Sequence, residues 1–171
     1  MLLPIITYPD KLLKTRSAEV ERYDAQLHQF LDNMYETMIS SNGIGLAAIQ
    51  VANPIRALIL CIPDEEGNQD KTALLEVINP VIENPQGKTT YQEGCLSVPG
   101  FYEDIERYES LTLRYYDRHG VECVLEANEL LSIAIQHEMD HLDGKLFIEK
   151  LSYNRRKKFE KEYKKALKEK K

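Results

Sequence analysis

One stretch of this 171-residue sequence, from Asn128 to Gly144, constrains the fold more than any other. Asn128 is a suitable N-cap for a helix, and Gly144 is a suitable residue to end one. Between them, apolar side chains fall on nearly every side of the predicted helix: Leu130, Leu131, Ile133, Ala134, Ile135, Met139 and Leu142. A helix that is apolar all round has to be buried. The sequence therefore predicts a central helix that the rest of the chain surrounds.

The other predicted elements are an amphipathic helix, several strands and a C-terminal helix. The first helix has Asp24 as its N-cap and ends at Gly43. Its apolar residues at helical spacing are Leu27, Phe30, Leu31, Met34 and Met38. Runs of β-prone residues predict strands at 57–62, 74–78, 111–116 and 121–125, the last two forming a hairpin. With a final helix at 153–168, this order predicts an α+β fold: antiparallel sheets packed around the buried central helix, plus the C-terminal helix.

The length and composition are those of a single domain. With 43% hydrophobic residues, the chain can fill one core and has no room for a second. No apolar run approaches the roughly 18 residues of a membrane span, and prolines and charges interrupt the apolar N-terminus. We therefore expect no membrane partner, no secretory signal and a cytoplasmic location. Three cysteines without paired spacing do not predict disulfides.

The segment from His137 to His141 carries the strongest chemical signal. Four residues advance about 400° around a helix, which places the two imidazoles one turn apart on the same face. Two histidines so placed can bind one metal ion, with Glu138 beside it as a general base. The alternative is a pair of histidines on an ordinary helix. Because a buried cluster of histidines and carboxylates without a ligand would be costly, the sequence favours a metal site.

A catalytic metal of this kind normally has a third protein ligand and an open position for water. Residues 137–144 fit the pattern HExxHxxG, but Phe147 stands where a third histidine would be expected. A downstream glutamate would have to be Glu149, Glu160 or Glu162, and the last two lie in the Lys-rich tail. The third ligand is therefore expected upstream.

Cys95 is the best upstream candidate. Gly94 beside it lets the backbone pass close to another group. Cys61 and Cys123 lie in predicted strands, where packing in the core explains a cysteine better. The missing third ligand is what favours Cys95 as a metal ligand.

A third segment, 43–50 with the sequence GIGLAAIQ, has the composition of a ligand-binding loop. Its two glycines and two alanines leave backbone N–H groups accessible, and Gln50 adds a neutral donor. The alternative is a helix C-cap followed by a tightly packed strand, which this segment alone would favour.

Together, GIGLAAIQ at 43–50, EGCLS at 93–97 and QHEMDH at 136–141 resemble the three signature motifs of the peptide deformylase family. The resemblance spans about residues 5–150. It implies a catalytic domain at 1–150, with 151–171 as a basic C-terminal tail of the same domain. It also implies a metal-dependent hydrolase that removes the N-formyl group from the N-terminal formylmethionine of newly synthesised polypeptides and releases formate.

The resemblance implies a role for each motif residue. Those expected to hold one divalent metal ion are Cys95, His137 and His141. The native ion would be Fe²⁺, although Zn²⁺, Ni²⁺ and Co²⁺ suit the same ligands. Glu138 would be the general base, and the oxyanion would be stabilised by the Leu96 backbone N–H and the Gln50 side chain. Those expected to bind substrate are Ile44, Gly45, Gly94 and Ile133. The two isoleucines could equally be plain core residues.

Asp140 is not needed as a ligand, and we expect it to support the site through an ion pair with Arg114. Two other functions share some of these features. A short metallopeptidase would use the same metal chemistry on internal peptide bonds. A binding module with a structural zinc would need a fourth ligand, which neither His28 nor His119 is placed to supply.

The C-terminal tail differs from the rest of the chain in charge. Residues 150–171 hold 11 Lys/Arg and 3 Asp/Glu, whereas the chain as a whole has a net charge of −6. An acidic body with one basic element favours directed contact with phosphate, and we expect this helix to bind ribosomal RNA near the exit tunnel; no DNA partner is expected. The alternative is a solvated helix that rests on the body through Phe159, Tyr163 and Leu167.

Overall fold

The computed structural model describes residues 1–169, so the last two residues of the predicted tail lie outside the described part. Three α-helices are present in that part: α1 at Ala25–Ser40, α2 at Glu129–Leu142 and α3 at Tyr153–Glu169. The strands are β1 at Gly45–Ala47, β2 at Ala57–Leu60, β3 at Leu75–Gln86, β4 at Thr89–Cys95, β5 at Val98–Arg107, β6 at Ser110–Tyr116 and β7 at Glu122–Asn128. The predicted α+β fold is confirmed. No helix among these residues is long and apolar enough to cross a membrane.

The strands form two antiparallel sheets. The larger has the order β1-β2-β3-β6-β7, and β4 and β5 pair with each other in a separate hairpin. Residues of α2, among them Ile135 and Leu142, share one core cluster with Leu58, Leu60 and Leu113 of the larger sheet. The sequence therefore identified the buried central helix correctly.

β2 shows why the sheet sits between two helices. All four of its residues are buried. Because side chains alternate between the faces of a strand, Leu58 and Leu60 join the cluster with α2, whereas Ala57 and Ile59 join a second cluster with α1. Cys61 is buried in that second cluster, as the sequence predicts for a packing cysteine.

A third core cluster joins the C-terminal part of the chain to the β4–β5 hairpin. Phe159 and Tyr163 of α3 are buried there against Val98 and Ile105 of β5. Leu167, the next residue of the predicted stripe, stays 37% exposed. The described part of the tail is thus packed on the body along one face.

The sequence places the start of α2 correctly but not its capping hydrogen bond, and it misses one hairpin. Asn128 is the N-cap of α2, but its side chain makes no capping hydrogen bond to the described residues of that helix, whereas Asp24 does accept one from the Leu27 backbone N–H at 3.0 Å. The β4–β5 hairpin was not predicted from the sequence. Few of its residues are apolar and buried, so it lacks the alternation that marks a half-buried strand.

Candidate metal centre

α2 presents His137 and His141 on the same side of the helix. Their ring centroids are 5.0 Å apart, as expected for side chains one turn apart. His141 is fully buried, and the His137 side chain retains 12% exposure. The apolar residues of α2 hold the helix against the larger sheet, which fixes the position of both imidazoles.

The β4–β5 hairpin brings Cys95 to these two histidines. The Cys95 Sγ lies 3.3 Å from His141 Nε2. One ligand atom from each of Cys95, His137 and His141 can be chosen so that all three lie within 4.8 Å of one another. The structure therefore places the three predicted ligands in one cluster, although Cys95 comes from a strand of the hairpin and the two histidines come from α2.

The cluster fits a divalent metal ion. One thiolate and two imidazoles are a donor set for zinc, iron, cobalt or nickel. Glu138 is buried beside the cluster, its Oε1 3.7 Å from His137 Nε2. Its other oxygen, Oε2, has no hydrogen-bond partner among residues 1–169, and a buried carboxylate oxygen in that state needs a ligand or water. Burial raises the pKa of the Glu138 carboxyl to about 7.

A buried ion pair orients His137. Its Nδ1 lies 2.9 Å from Glu93 Oε1, which leaves Nε2 available to a metal. Arg107 donates two hydrogen bonds to Glu93, each 2.7 Å long. Burial alone would raise the pKa of the Glu93 carboxyl, but Arg107 and His137 hold that pKa below its usual value.

The prediction that Asp140 pairs with Arg114 is wrong. Asp140 Oδ2 accepts a 2.7 Å hydrogen bond from Arg107 instead. Arg114 lies in β6 with its side chain 44% exposed, and it pairs with Glu83 and Glu122 on neighbouring strands. Arg107 ends β5 next to α2, so it joins Asp140 to the Glu93 carboxylate beside the metal cluster.

Gln50 lies beside Cys95. It is buried in a short 3₁₀ turn after β1, where its Oε1 accepts a 2.9 Å hydrogen bond from the Ala47 backbone N–H. Its Nε2 donates to Ser97 Oγ at 3.1 Å and to Cys95 Sγ at 3.5 Å. The amide that the sequence predicts as a donor is therefore beside the candidate ligand.

A cleft of about 440 Å³ opens onto the cluster. The predicted site residues that line it are Ile44, Gly45, Gln50, Gly94, Cys95, Leu96, Ile133, His137 and Glu138. His141 is fully buried and is not among the residues that line the cleft. A Cβ at position 45 would lie 3.2 Å from Glu138 Cγ and Cδ, so glycine there permits the close approach of β1 to the carboxylate.

Several residues of the site were not predicted from the sequence. Tyr91, Phe101 and Tyr102 also line the cleft, and the Tyr102 ring lies so close to Gly94 that a Cβ there would be 2.4 Å from its Cε1. Arg107 was missed as the partner of Glu93. The one signal in the sequence was Glu93 itself, two positions before Cys95 and so able to share its side of a strand.

The class of protein follows from this arrangement. A thiol and two imidazoles meet beside the cleft, and a buried carboxylate next to them can accept and donate a proton. This combination is typical of a metal-dependent hydrolase.

Comparison with known proteins gives the family. The family model described as polypeptide deformylase matches residues 2–157. A peptide deformylase of Nautilia profundicola is 58% identical over 169 residues, covering 99% of this chain and 97% of that protein. One from Helicobacter pylori is 57% identical over 170 residues, covering 99% and 98%. The chain belongs to the peptide deformylase family.

Solved structures agree with the assignment. A peptide deformylase from Legionella pneumophila superposes with a TM-score of 0.90 at 33% identity, covering 98% of this chain and 96% of that one. One from Ehrlichia chaffeensis, solved in complex with actinonin, gives 0.88 at 38% identity, covering 96% and 97%. The chain is accordingly an enzyme that removes the N-formyl group from the N-terminal formylmethionine of newly synthesised polypeptides and releases formate. This membership decides against the metallopeptidase and the structural-zinc module.

Proposed function

We propose that Cys95, His137 and His141 hold the one divalent metal ion of this enzyme, and that Glu138 is its general base. The observation that carries the proposal is the cluster of three ligand atoms within 4.8 Å beside a buried carboxylate oxygen that has no partner among the described residues. A metal ion in this position supplies Lewis-acid chemistry and lowers the pKa of water toward neutrality.

The side chains of the cleft transfer the proton and stabilise the oxyanion. Glu138 accepts a proton from the attacking water, whose oxygen bonds to the formyl carbon, and returns that proton to the nitrogen as the C–N bond breaks. The developing oxyanion is stabilised by the Leu96 backbone N–H and by Gln50. The Gln50 amide can donate to the oxyanion because its hydrogen bond to Cys95 Sγ, at 3.5 Å, is longer and weaker than its bond to Ser97 Oγ at 3.1 Å.

Substrate binding follows from the lining of the cleft. Ile44, Leu96 and Ile133 form apolar walls for the methionine side chain. Gly45 and Gly94 expose backbone edges, on which an extended peptide can pair as an added strand. Peptides longer than the methionine would continue along this edge.

The test is a comparison of formyl-Met and acetyl-Met peptides of the same sequence. We expect turnover of the formyl peptide and almost none of the acetyl peptide, because the formyl carbon carries a hydrogen where acetyl carries a methyl group. Comparable turnover of both, or cleavage at internal peptide bonds, would contradict the assigned substrate contacts.

We propose Fe²⁺ as the native ion. The donor set supports iron as well as zinc, cobalt and nickel, and a thiolate ligand makes an Fe²⁺ centre sensitive to oxidation. Elemental analysis of anaerobically purified protein should find about one iron per chain, with activity lost on exposure to air. A zinc-filled, air-stable and fully active preparation would contradict iron as the native metal.

We also propose that α3 contacts ribosomal RNA and that the enzyme works in the cytoplasm, where formylated chains emerge. Lys158 and Lys161 are exposed on α3. The same helix is anchored by Phe159 and Tyr163, so the basic side chains project from a fixed element. Binding of such lysines to phosphate depends strongly on salt.

The ribosome test uses charge changes, because a truncation after Leu151 would remove two buried aromatic side chains. The double variant Lys158→Glu/Lys161→Glu should lose salt-sensitive cosedimentation with ribosomes, and each lysine that no longer binds a phosphate should reduce the salt slope by about 1. The control, Lys11→Glu/Lys14→Glu, makes the same change in net charge at exposed positions elsewhere. Equal binding by both double variants would remove α3 from the interface.

A further inference from the structure

Four aromatic rings join α3 to two distant parts of the chain. We call Tyr8, Phe101, Phe159 and Tyr163 the aromatic clasp. Each of the two α3 rings contacts both of the other rings, as the distances between ring centroids show. Phe159 lies 5.6 Å from Tyr8 and 5.3 Å from Phe101. Tyr163 lies 5.3 Å from Tyr8 and 5.2 Å from Phe101. Edge-to-face and tilted pairs at these distances are favourable, so α3 holds Tyr8 and Phe101 in place together.

Tyr8 leads from the clasp to Cys95. The Tyr8 backbone N–H donates a 2.7 Å hydrogen bond to the Ser97 carbonyl. The Ser97 hydroxyl donates back to the Ile6 carbonyl at 2.8 Å and accepts from Gln50 Nε2 at 3.1 Å. The Ser97 backbone N–H in turn lies 3.4 Å from Cys95 Sγ. The N-terminal segment therefore fixes the residue that donates to the candidate ligand.

Phe101 leads from the clasp to the wall of the cleft. It lines the cleft, as do the neighbouring Tyr102 and Val98, and Val98 is buried in the same core cluster as α3. The segment from Cys95 to Phe101 is thus held at its start through Tyr8 and at its end through Phe101.

Strand pairing by itself gives this segment little support. Among the strands of residues 1–169, β4 pairs only with β5, and a two-stranded hairpin is marginally stable by itself. Of the buried side chains in the two strands, Glu93 and Arg107 are charged. Apolar support for this segment comes from two core clusters: Leu96 packs against the second, and Cys95 and Phe101 pack against the third, to which α3 contributes Phe159 and Tyr163.

We propose that the aromatic clasp is a positioning device for the metal ligand Cys95 and for the cleft wall at Phe101. α3 then serves the reaction through Tyr8 and Ser97 without touching the substrate. The inference rests on the proposed role of Cys95 as a metal ligand.

The test measures how fast the metal-loaded enzyme loses its metal to excess EDTA, together with KM and kcat on a short formyl-Met peptide. Phe159→Leu and Tyr163→Leu keep apolar bulk but remove a ring from the clasp. Substituting a group that orients a ligand typically costs about 10- to 100-fold in metal affinity. Because the clasp acts on Cys95 only indirectly, through Tyr8 and Ser97, we expect a smaller effect. Metal loss should accelerate by about 3- to 10-fold, and KM should rise.

Control variants separate positioning from general destabilisation. Leu167→Ala changes the same helix stripe outside the clasp, where the side chain is 37% exposed, and should match the wild type in both readouts. Tyr163→Phe keeps the ring and should lie much closer to the wild type than Tyr163→Leu in both readouts. Tyr8→Leu probes the opposite end of the clasp with a side chain that is only partly buried, and should reproduce the faster metal loss even if the α3 variants do not fold.

Leucine variants that unfold at lower temperature but keep wild-type metal loss and KM would overturn the proposal, since the clasp would then only anchor α3. Wild-type behaviour of Tyr8→Leu would overturn it as well. A failure of the proposed ligand set is distinguishable, because Cys95→Ala would then retain its metal whatever the clasp variants do.

Discussion

Arg107→Met should destabilise the protein far more than Arg114→Met, although each arginine bridges two carboxylates. The Arg107 side chain is 2% exposed, between Glu93 at 4% and Asp140 at 18%. Arg114 is 44% exposed, with partners that also face water. Removing one partner of a buried ion pair leaves an uncompensated charge and costs about 3–5 kcal/mol. Ion pairs in water are screened and contribute little.

Urea unfolding of the metal-free proteins tests this difference without a contribution from metal binding. With a urea dependence of roughly 2 kcal/mol per molar, a loss of about 3–5 kcal/mol lowers the midpoint by about 1.5–2.5 M. That is a large share of the roughly 5–15 kcal/mol that stabilises a typical domain. Arg114→Met should leave the midpoint close to that of the wild type. Equal midpoints for the two variants would refute the argument that burial makes the Arg107 pairs matter.

Three further substitutions test the proposed chemistry. Glu138→Gln should lower kcat by about 100- to 10,000-fold while elemental analysis still finds the metal; loss of the metal would show that Glu138 is a ligand. Cys95→Ala should lose both metal and activity, whereas the buried Cys61→Ala should keep both; a metal-replete Cys95→Ala protein would exclude Cys95 from the ligand set. Gly45→Ala places a Cβ 2.8 Å from Leu60 Cδ2 and 3.2 Å from Glu138 Cγ and Cδ; it should lower kcat on the order of tenfold by displacing the base, with metal content unchanged, and an unchanged kcat would mean that the Leu60 side chain and the carboxylate both have room to move.

What the sequence predicted well is local in the chain. The spacing of His137 and His141 follows from helix geometry, and the apolar surroundings of both residues identify α2 as buried. Asp24 as an N-cap is equally local, because the hydrogen bond to Leu27 spans only three residues. Each of these predictions needs a single periodic element and no knowledge of what packs against it.

What the sequence did not predict depends on which face of a distant strand a side chain occupies. Arg114 and Arg107 are both plausible partners for Asp140 by residue type. Arg114 lies at a solvent-facing position of β6, whereas Arg107 lies at a buried position of β5. Strand alternation in the predicted strand 111–116 already places Arg114 on the face opposite Leu113, but Arg107 could not be chosen instead because the β4–β5 hairpin was not recognised.

The buried charged residues of the β4–β5 hairpin explain both why the sequence did not predict it and why it forms part of the site. In an ordinary hairpin, order comes from an apolar face buried against a core. Here β4 buries Glu93 and β5 buries Arg107, and both reach toward α2, where His137 and Asp140 complete their hydrogen bonds. Charged residues are buried at a cost unless every partner is present, so these strands fit only against a helix that carries those two residues. The buried charged residues of the hairpin therefore have two effects. They remove the apolar alternation by which a strand is recognised in the sequence, and they fix the register in which Cys95 faces the histidines.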